Sequence, residues 1–130
     1  MDRDTVDQAI TMGADGVRIL GTLGSVSGPA DLIAQISQAK SNFANAAAQL
    51  TPTPAGVPDA MGRQASATLR RLGDSLAALQ SCISSGATPA TCSATVERSL
   101  VDSKAAGEAL LGLAPYSTLT QADLRRLFVA

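Results

Sequence analysis

The chain has 130 residues, a formal net charge of −1 and only 16% charged side chains, with 45% hydrophobic residues. Such a composition excludes wholesale disorder, and its length suits one domain, 1–130. Sparse and balanced charge argues against a nucleic-acid partner, which needs concentrated Lys and Arg, and no run of about 18 apolar residues offers a transmembrane helix.

The apolar residues are mainly Ala, Leu, Val and Ile, and the only aromatics are Phe43, Tyr116 and Phe128. Small aliphatic cores suit close helix packing better than sheets, which favour β-branched and aromatic residues. Arg outnumbers Lys eight to two and Ala is abundant, a composition typical of high-GC bacteria such as actinobacteria.

The first predicted helix runs from Asp4 to Leu20. Val6, Ile10, Gly13, Val17 and Leu20 recur at steps of four and three; Asp4 is placed to cap its start and Gly21 and Gly24 to end it. A loop over 24–28 leads to Pro29, which suits the first helical position because its missing N–H has no role there. Leu32, Ile36, Ala39, Phe43, Ala46 and Leu50 then form the second stripe, ended by the Pro-rich stretch 51–56.

Pro58-Asp59 opens the third and clearest helix. Met61, Ala65, Leu69, Leu72, Leu76, Leu79 and Ile83 fall within an arc of roughly 80°. Arg63, Arg70, Arg71 and Asp74 lie on the far side, and Gly86 reads as the C-terminal cap. Thr88-Pro89 marks the start of the fourth helix, with Val96, Leu100, Ser103, Gly107 and Leu110 as its expected buried stripe and Ala114-Pro115 as its end. Thr120 caps a short fifth helix, with Asp123 at the positive end of its dipole and Leu124, Leu127 and Phe128 on its apolar face.

Long helices joined by short polar loops favour antiparallel neighbours. The expected fold is therefore all-α, an up-down four-helix bundle with a short C-terminal fifth helix. The first and fourth helices are expected side by side, with Gly13 and Gly16 facing Ser103, Ala106 and Gly107. That seam of small residues either lets two backbones approach or leaves a void for a ligand.

Cys82 lies about one turn before the end of the third helix, and Cys92 about one turn after the predicted start of the fourth. In a tight antiparallel hairpin they reach matching heights, so a disulfide stapling helices 3 and 4 is expected. Cytosolic chains seldom keep such a bond, which points to a secreted or cell-envelope location; free thiols would point to the cytoplasm. Met1-Asp2-Arg3-Asp4 has no signal-peptide pattern, so the expected location requires a leader removed before this chain begins.

Histidine is absent, which removes the commonest general base and the Glu-x-x-His ligands of di-iron bundles. Two cysteines without histidine are too few for a zinc site. Glu97, Lys104 and Glu108 share one flank of the fourth helix and read as a solvated charged face. No serine sits in a nucleophile elbow, and Gly21-Thr22-Leu23-Gly24 lacks the Lys of a phosphate loop. Tyr116 reads as an amphipathic plug at the bundle's end, with haem ligation as the minor alternative. The core stripes predicted here contain no Asp or Glu, so no tuned carboxylate is expected.

The sequence thus points to a non-enzymatic protein with no cofactor and no metal, acting by binding a protein partner or its own copies. A carrier of a hydrophobic small molecule or lipid at the Gly13/Gly16–Ser103/Gly107 seam is one alternative. A membrane-active or pore-forming helical oligomer is the other. Leu124, Leu127 and Phe128 are the candidate partner-binding residues.

Overall fold

A computed structural model describes residues 2–22, 28–86 and 91–128. Among these residues there are no strands. Four long helices, α1 (Asp2–Gly21), α2 (Pro29–Gln49), α3 (Asp59–Ser84) and α4 (Ser93–Leu111), pack as an antiparallel bundle, followed by a 3₁₀ turn at Ala114–Tyr116 and α5 (Gln121–Phe128). The most extensive contacts join α1 with α2, α2 with α3, and α3 with α4, while α1 meets α4 much more sparsely.

The α2 and α3 stripes bury as their periodicity predicts. Ile36, Ala39, Phe43, Ala46 and Leu50 of the first, and Ala65, Leu69, Leu72, Leu76 and Leu79 of the second, all lie in the core. Met61 and Ile83, at the two ends of the α3 stripe, are only partly buried. Pro29 opens α2 behind Gly28, and the Gly28 carbonyl accepts the Leu32 N–H at 3.1 Å. Gly86 follows the α3 cap residue at φ +82°, a left-handed conformation that glycine adopts without a Cβ clash. Across the α2–α3 interface, Lys40 donates to Gln80 Oε1 at 2.9 Å. Gln80 Nε2 in turn donates to the Ile33 carbonyl at 3.0 Å and to Ser37 at 2.7 Å.

The structure moves several predicted boundaries. Helix α1 begins at Asp2, so Asp4 lies inside its first turn rather than capping it. Tertiary contacts hold that turn: Arg3 donates to the Ser117 carbonyl at 3.3 Å, and Asp7 accepts the Thr118 N–H at 2.9 Å. Gly24, the second proposed terminator of this helix, and the proposed Thr88-Pro89 start lie outside the described residues. Helix α4 begins at Ser93 with Cys92 as its N-cap residue, not one turn inside. The Cys92 carbonyl takes the first helical hydrogen bond, from Val96 N at 3.0 Å. At its other end α4 stops at Leu111, and Pro115 sits in the 3₁₀ turn instead of ending the helix directly.

The largest correction concerns the face that α4 buries. Ser99, Asp102, Ala106 and Leu110 point inward, while Val96 and Leu100 are exposed and Ser103 and Gly107 only half-buried. A carboxylate therefore does enter the core. Asp102 is tolerated there because Ser75 of α3 donates its hydroxyl to Asp102 Oδ2, so the buried carboxyl group keeps a hydrogen-bond partner.

Candidate functional site

The cysteine staple forms at one end of the bundle. Cys82 on α3 and Cys92 at the head of α4 are disulfide-bonded, with Cα atoms 6.0 Å apart. The helices can meet this requirement because the link lies at the hairpin's closed end, where their backbones converge.

The proposed seam of small residues is not brought together as predicted. Gly13 does face α4, but Leu110 fills the space: a Cβ on Gly13 would lie 2.2 Å from Leu110 Cδ1. Gly16 faces α2 instead, where a Cβ would lie 2.6 Å from Cε1 of the fully buried Phe43 ring. Nothing lies within 4 Å of a Cβ built on Gly107. Both α1 glycines thus admit neighbouring side chains into the core.

Where α1 and α4 diverge they leave an open apolar cleft. Val17, Leu20 and Gly21 of α1, Leu76 and Leu79 of α3, and Val96, Ser99, Leu100 and Ser103 of α4 line about 250 Å³. A second cleft of about 660 Å³ is lined by charged and hydroxyl side chains among others; it runs along α3 past Arg63, Arg70 and Arg71 to the α2–α3 connection at Thr51–Thr53. Arg63 pairs there with Asp59 at 2.9 Å, and Thr51 shares a 3.0 Å hydrogen bond with Ser66.

Of the proposed partner-binding residues of α5, the structure describes the side chain of Leu124. Leu124 is buried in the core, and α5 packs against α1. The side chains of Leu127 and Phe128 lie outside the described residues. Tyr116 is half-buried in the 3₁₀ turn. The α5 cap forms as predicted: Asp123 N–H donates to Thr120 Oγ1 at 3.1 Å, and Thr120 N–H donates to Asp123 Oδ2 at 3.0 Å. The Thr120 backbone hydrogen bond, then the Thr120 hydroxyl and Arg126, hold the Asp123 carboxyl below its ordinary value of 3.8.

The surface that sequence reasoning missed is the outside of α4. Among the described residues, the exposed large apolar side chains are Val96, Leu100, Val101 and Leu111, and all four belong to this helix. Leu100 is 65% and Val101 67% exposed. At 100° per residue, Glu97, Leu100, Val101, Lys104, Glu108 and Leu111 fall within an arc of roughly 100°, opposite the buried stripe. Glu97, Lys104 and Glu108 are exposed there, and the ion pairs among the described residues are Asp15–Arg18, Asp59–Arg63 and Asp123–Arg126. These three α4 charges therefore have no ion-pair partner among the described residues.

Chemically, this surface offers contact area and charge. Among the described residues the buried hydroxyl–carboxylate pair is Ser75–Asp102, closed to substrate at 4% and 9% exposure. Among the described residues no group of three or more acidic or cysteine side chains is placed to hold a metal ion, and no helix is long and apolar enough to cross a membrane. No protein-family model, curated protein or solved structure matches the chain.

Proposed function

We propose that this protein is a non-enzymatic, extracytoplasmic binding protein of a bacterial cell envelope, and that it docks other protein surface on the outer face of α4. The observation that carries this reading is that the exposed large apolar side chains among the described residues, Val96, Leu100, Val101 and Leu111, all belong to α4, with the last three on its outer face. Scattered surface leucines need no explanation, whereas exposed apolar side chains gathered on one helix, with charges between them, mark a candidate interface. The Cys82–Cys92 bond supports an oxidising compartment. The lack of histidine in the sequence and the closure of Ser75–Asp102 to substrate support a role without catalysis.

A carrier role has less support. Leu110 and Phe43 occupy the places where the seam would have been hollow, and the apolar clefts, about 250 Å³ between α1 and α4 and about 350 Å³ beside Leu111 and Leu124, are both open to solvent. Small-molecule pockets usually enclose about 300–1,000 Å³.

Photo-cross-linking in the native host tests the proposal. A benzophenone side chain is placed at Leu100 or Val101, and at Asn45 on the exposed side of α2 as the control. Discrete protein adducts at 100 and 101 but not at 45 are the expected result. Adducts from no α4 position, or equally from Asn45, would remove the reading.

A further inference from the structure

The α4 stripe is complementary to itself, and we infer that its partner is a second copy of this chain, docked antiparallel across a two-fold axis between Leu100 and Val101. This inference rests on the proposed docking role of α4 and names its occupant.

A two-fold interface uses the same patch on both copies, so each residue must fit the one that the axis places opposite it. On an antiparallel pair of α4 helices centred between positions 100 and 101, Leu100 and Val101 meet at the centre on opposite flanks, Leu100 beside the partner's Leu100 and Val101 beside the partner's Val101. One turn further out, Glu97 lies over the partner's Lys104, and Lys104 over the partner's Glu97. Two apolar contacts at the centre are thus flanked by two opposite-charge pairs. Within one chain Glu97 and Lys104 are about 10 Å apart along the helix axis, too far to satisfy each other, and neither has another ion-pair partner among the described residues.

Two turns out, Glu108 meets the start of the partner's α4 near Ser93. The first turn of α4 contains no acidic residue, and a carboxylate arriving there meets the positive end of the helix dipole. The core-facing side of α4 is occupied by Ser99, Asp102, Ala106 and Leu110, so the second copy approaches from the opposite, open side. A net charge of −1 adds little mutual repulsion.

The registration makes a prediction that nonspecific stickiness does not. E97K places Lys over the partner's Lys104 at both symmetry-related contacts, and K104E places Glu over the partner's Glu97. Each single variant should weaken dimerisation by roughly tenfold, because every substitution spoils two contacts. An equimolar mixture of E97K and K104E restores both opposite-charge pairs in the heterodimer, and the E97K/K104E double variant restores them in the homodimer.

Sedimentation equilibrium of the full, oxidised chain at low salt provides the test, with circular dichroism confirming that these exposed substitutions leave the helices intact. Support consists of wild-type dimers, weakened association in each single variant, and recovery in both the mixture and the double variant. Single variants that dimerise like the wild type, or a mixture or double variant that fails to recover, would overturn the antiparallel registration. A wild-type chain that stays monomeric would overturn self-docking, while position-specific adducts to a different protein at 100 and 101 would leave the binding reading standing.

Discussion

Ser75 on α3 hydrogen-bonds Asp102 on α4 inside the bundle, and the pair is a buried polar joint between the two helices. Removing one partner leaves the other buried without its hydrogen bond, an effect larger than the net value of the bond itself. S75A should therefore destabilise the fold by about 1–3 kcal/mol. S75A/D102L should recover part of that loss by replacing both polar groups with apolar ones. Urea melts of the two variants check this. Equal stability of S75A and wild type would mean that water satisfies Asp102.

The glycines of α1 separate close packing from a ligand void. Introducing Ala raises helix propensity by about 1 kcal/mol, but at position 16 the new methyl meets the Phe43 ring at 2.6 Å. Overpacking of that kind costs about 1–3 kcal/mol, so G16A should be a net loss. G73A and G107A meet nothing within 4 Å and should gain about 0.5–1 kcal/mol. Thermal melts of the three variants would show opposite signs. A stabilised G16A would mean that the space beside Phe43 is empty.

Cys82 and Cys92 close a short loop, ten residues apart in sequence. On the chain-entropy model, such a cross-link stabilises by about 2–3 kcal/mol. Reduction, or the C82S/C92S pair, should lower the unfolding midpoint accordingly and leave the helices folded. Thiol titration of the denatured, unreduced protein should find no free thiol. Two free thiols would withdraw the argument for an oxidising compartment.

Asp123 supplies a pH dependence of known sign. Its carboxyl is held below its ordinary value of 3.8, first by the Thr120 backbone N–H, then by the Thr120 hydroxyl and Arg126. A depressed carboxylate contributes stability that is fully present above its unfolded value and lost as pH falls through its folded value. The cap of α5 should therefore loosen only below about pH 4. Amide hydrogen exchange at Leu124 should rise there relative to the pH trend of α2 and α3 amides. An unchanged ratio down to pH 2 would show that the cap does not hold α5.

How much of this was legible in the sequence differs from helix to helix. In α2 and α3 the large aliphatics occupy a single stripe, and burial follows it from Ile36 to Leu50 and from Ala65 to Leu79. The disulfide followed from two cysteines placed near the ends of a tight hairpin, although Cys92 proved to be a cap residue. In α4 the rule that apolar side chains point inward selected Val96 and Leu100, and both lie outside. The true stripe, Ser99, Asp102, Ala106 and Leu110, has equally good helical spacing but is half polar. Only the presence of Ser75 on the buried face of α3 could have signalled that a polar partner was needed there. Local rules tend to fail where a surface serves something other than the fold, and here the misplaced residues are the candidate site.

Leu100 and Val101 should be dispensable to the monomer's fold. If their side chains contributed to the monomer's core, L100Q/V101Q would cost several kcal/mol, as large-to-small core changes do. With 65% and 67% of their surface already in water, little apolar area is returned to solvent within the single chain. The double substitution should therefore change monomer stability by no more than about 0.5 kcal/mol, the usual range for surface positions. L72Q, placed in the fully buried α3 stripe, should lose several times more and serves as the contrast. The readouts must be taken at concentrations where the wild type is monomeric, because association adds apparent stability by mass action. The same L100Q/V101Q chain, raised in concentration, should fail to associate and should crowd less on gel filtration than the wild type. A large loss of monomer stability would place these side chains in a fold contact and remove α4's outer face as a docking surface.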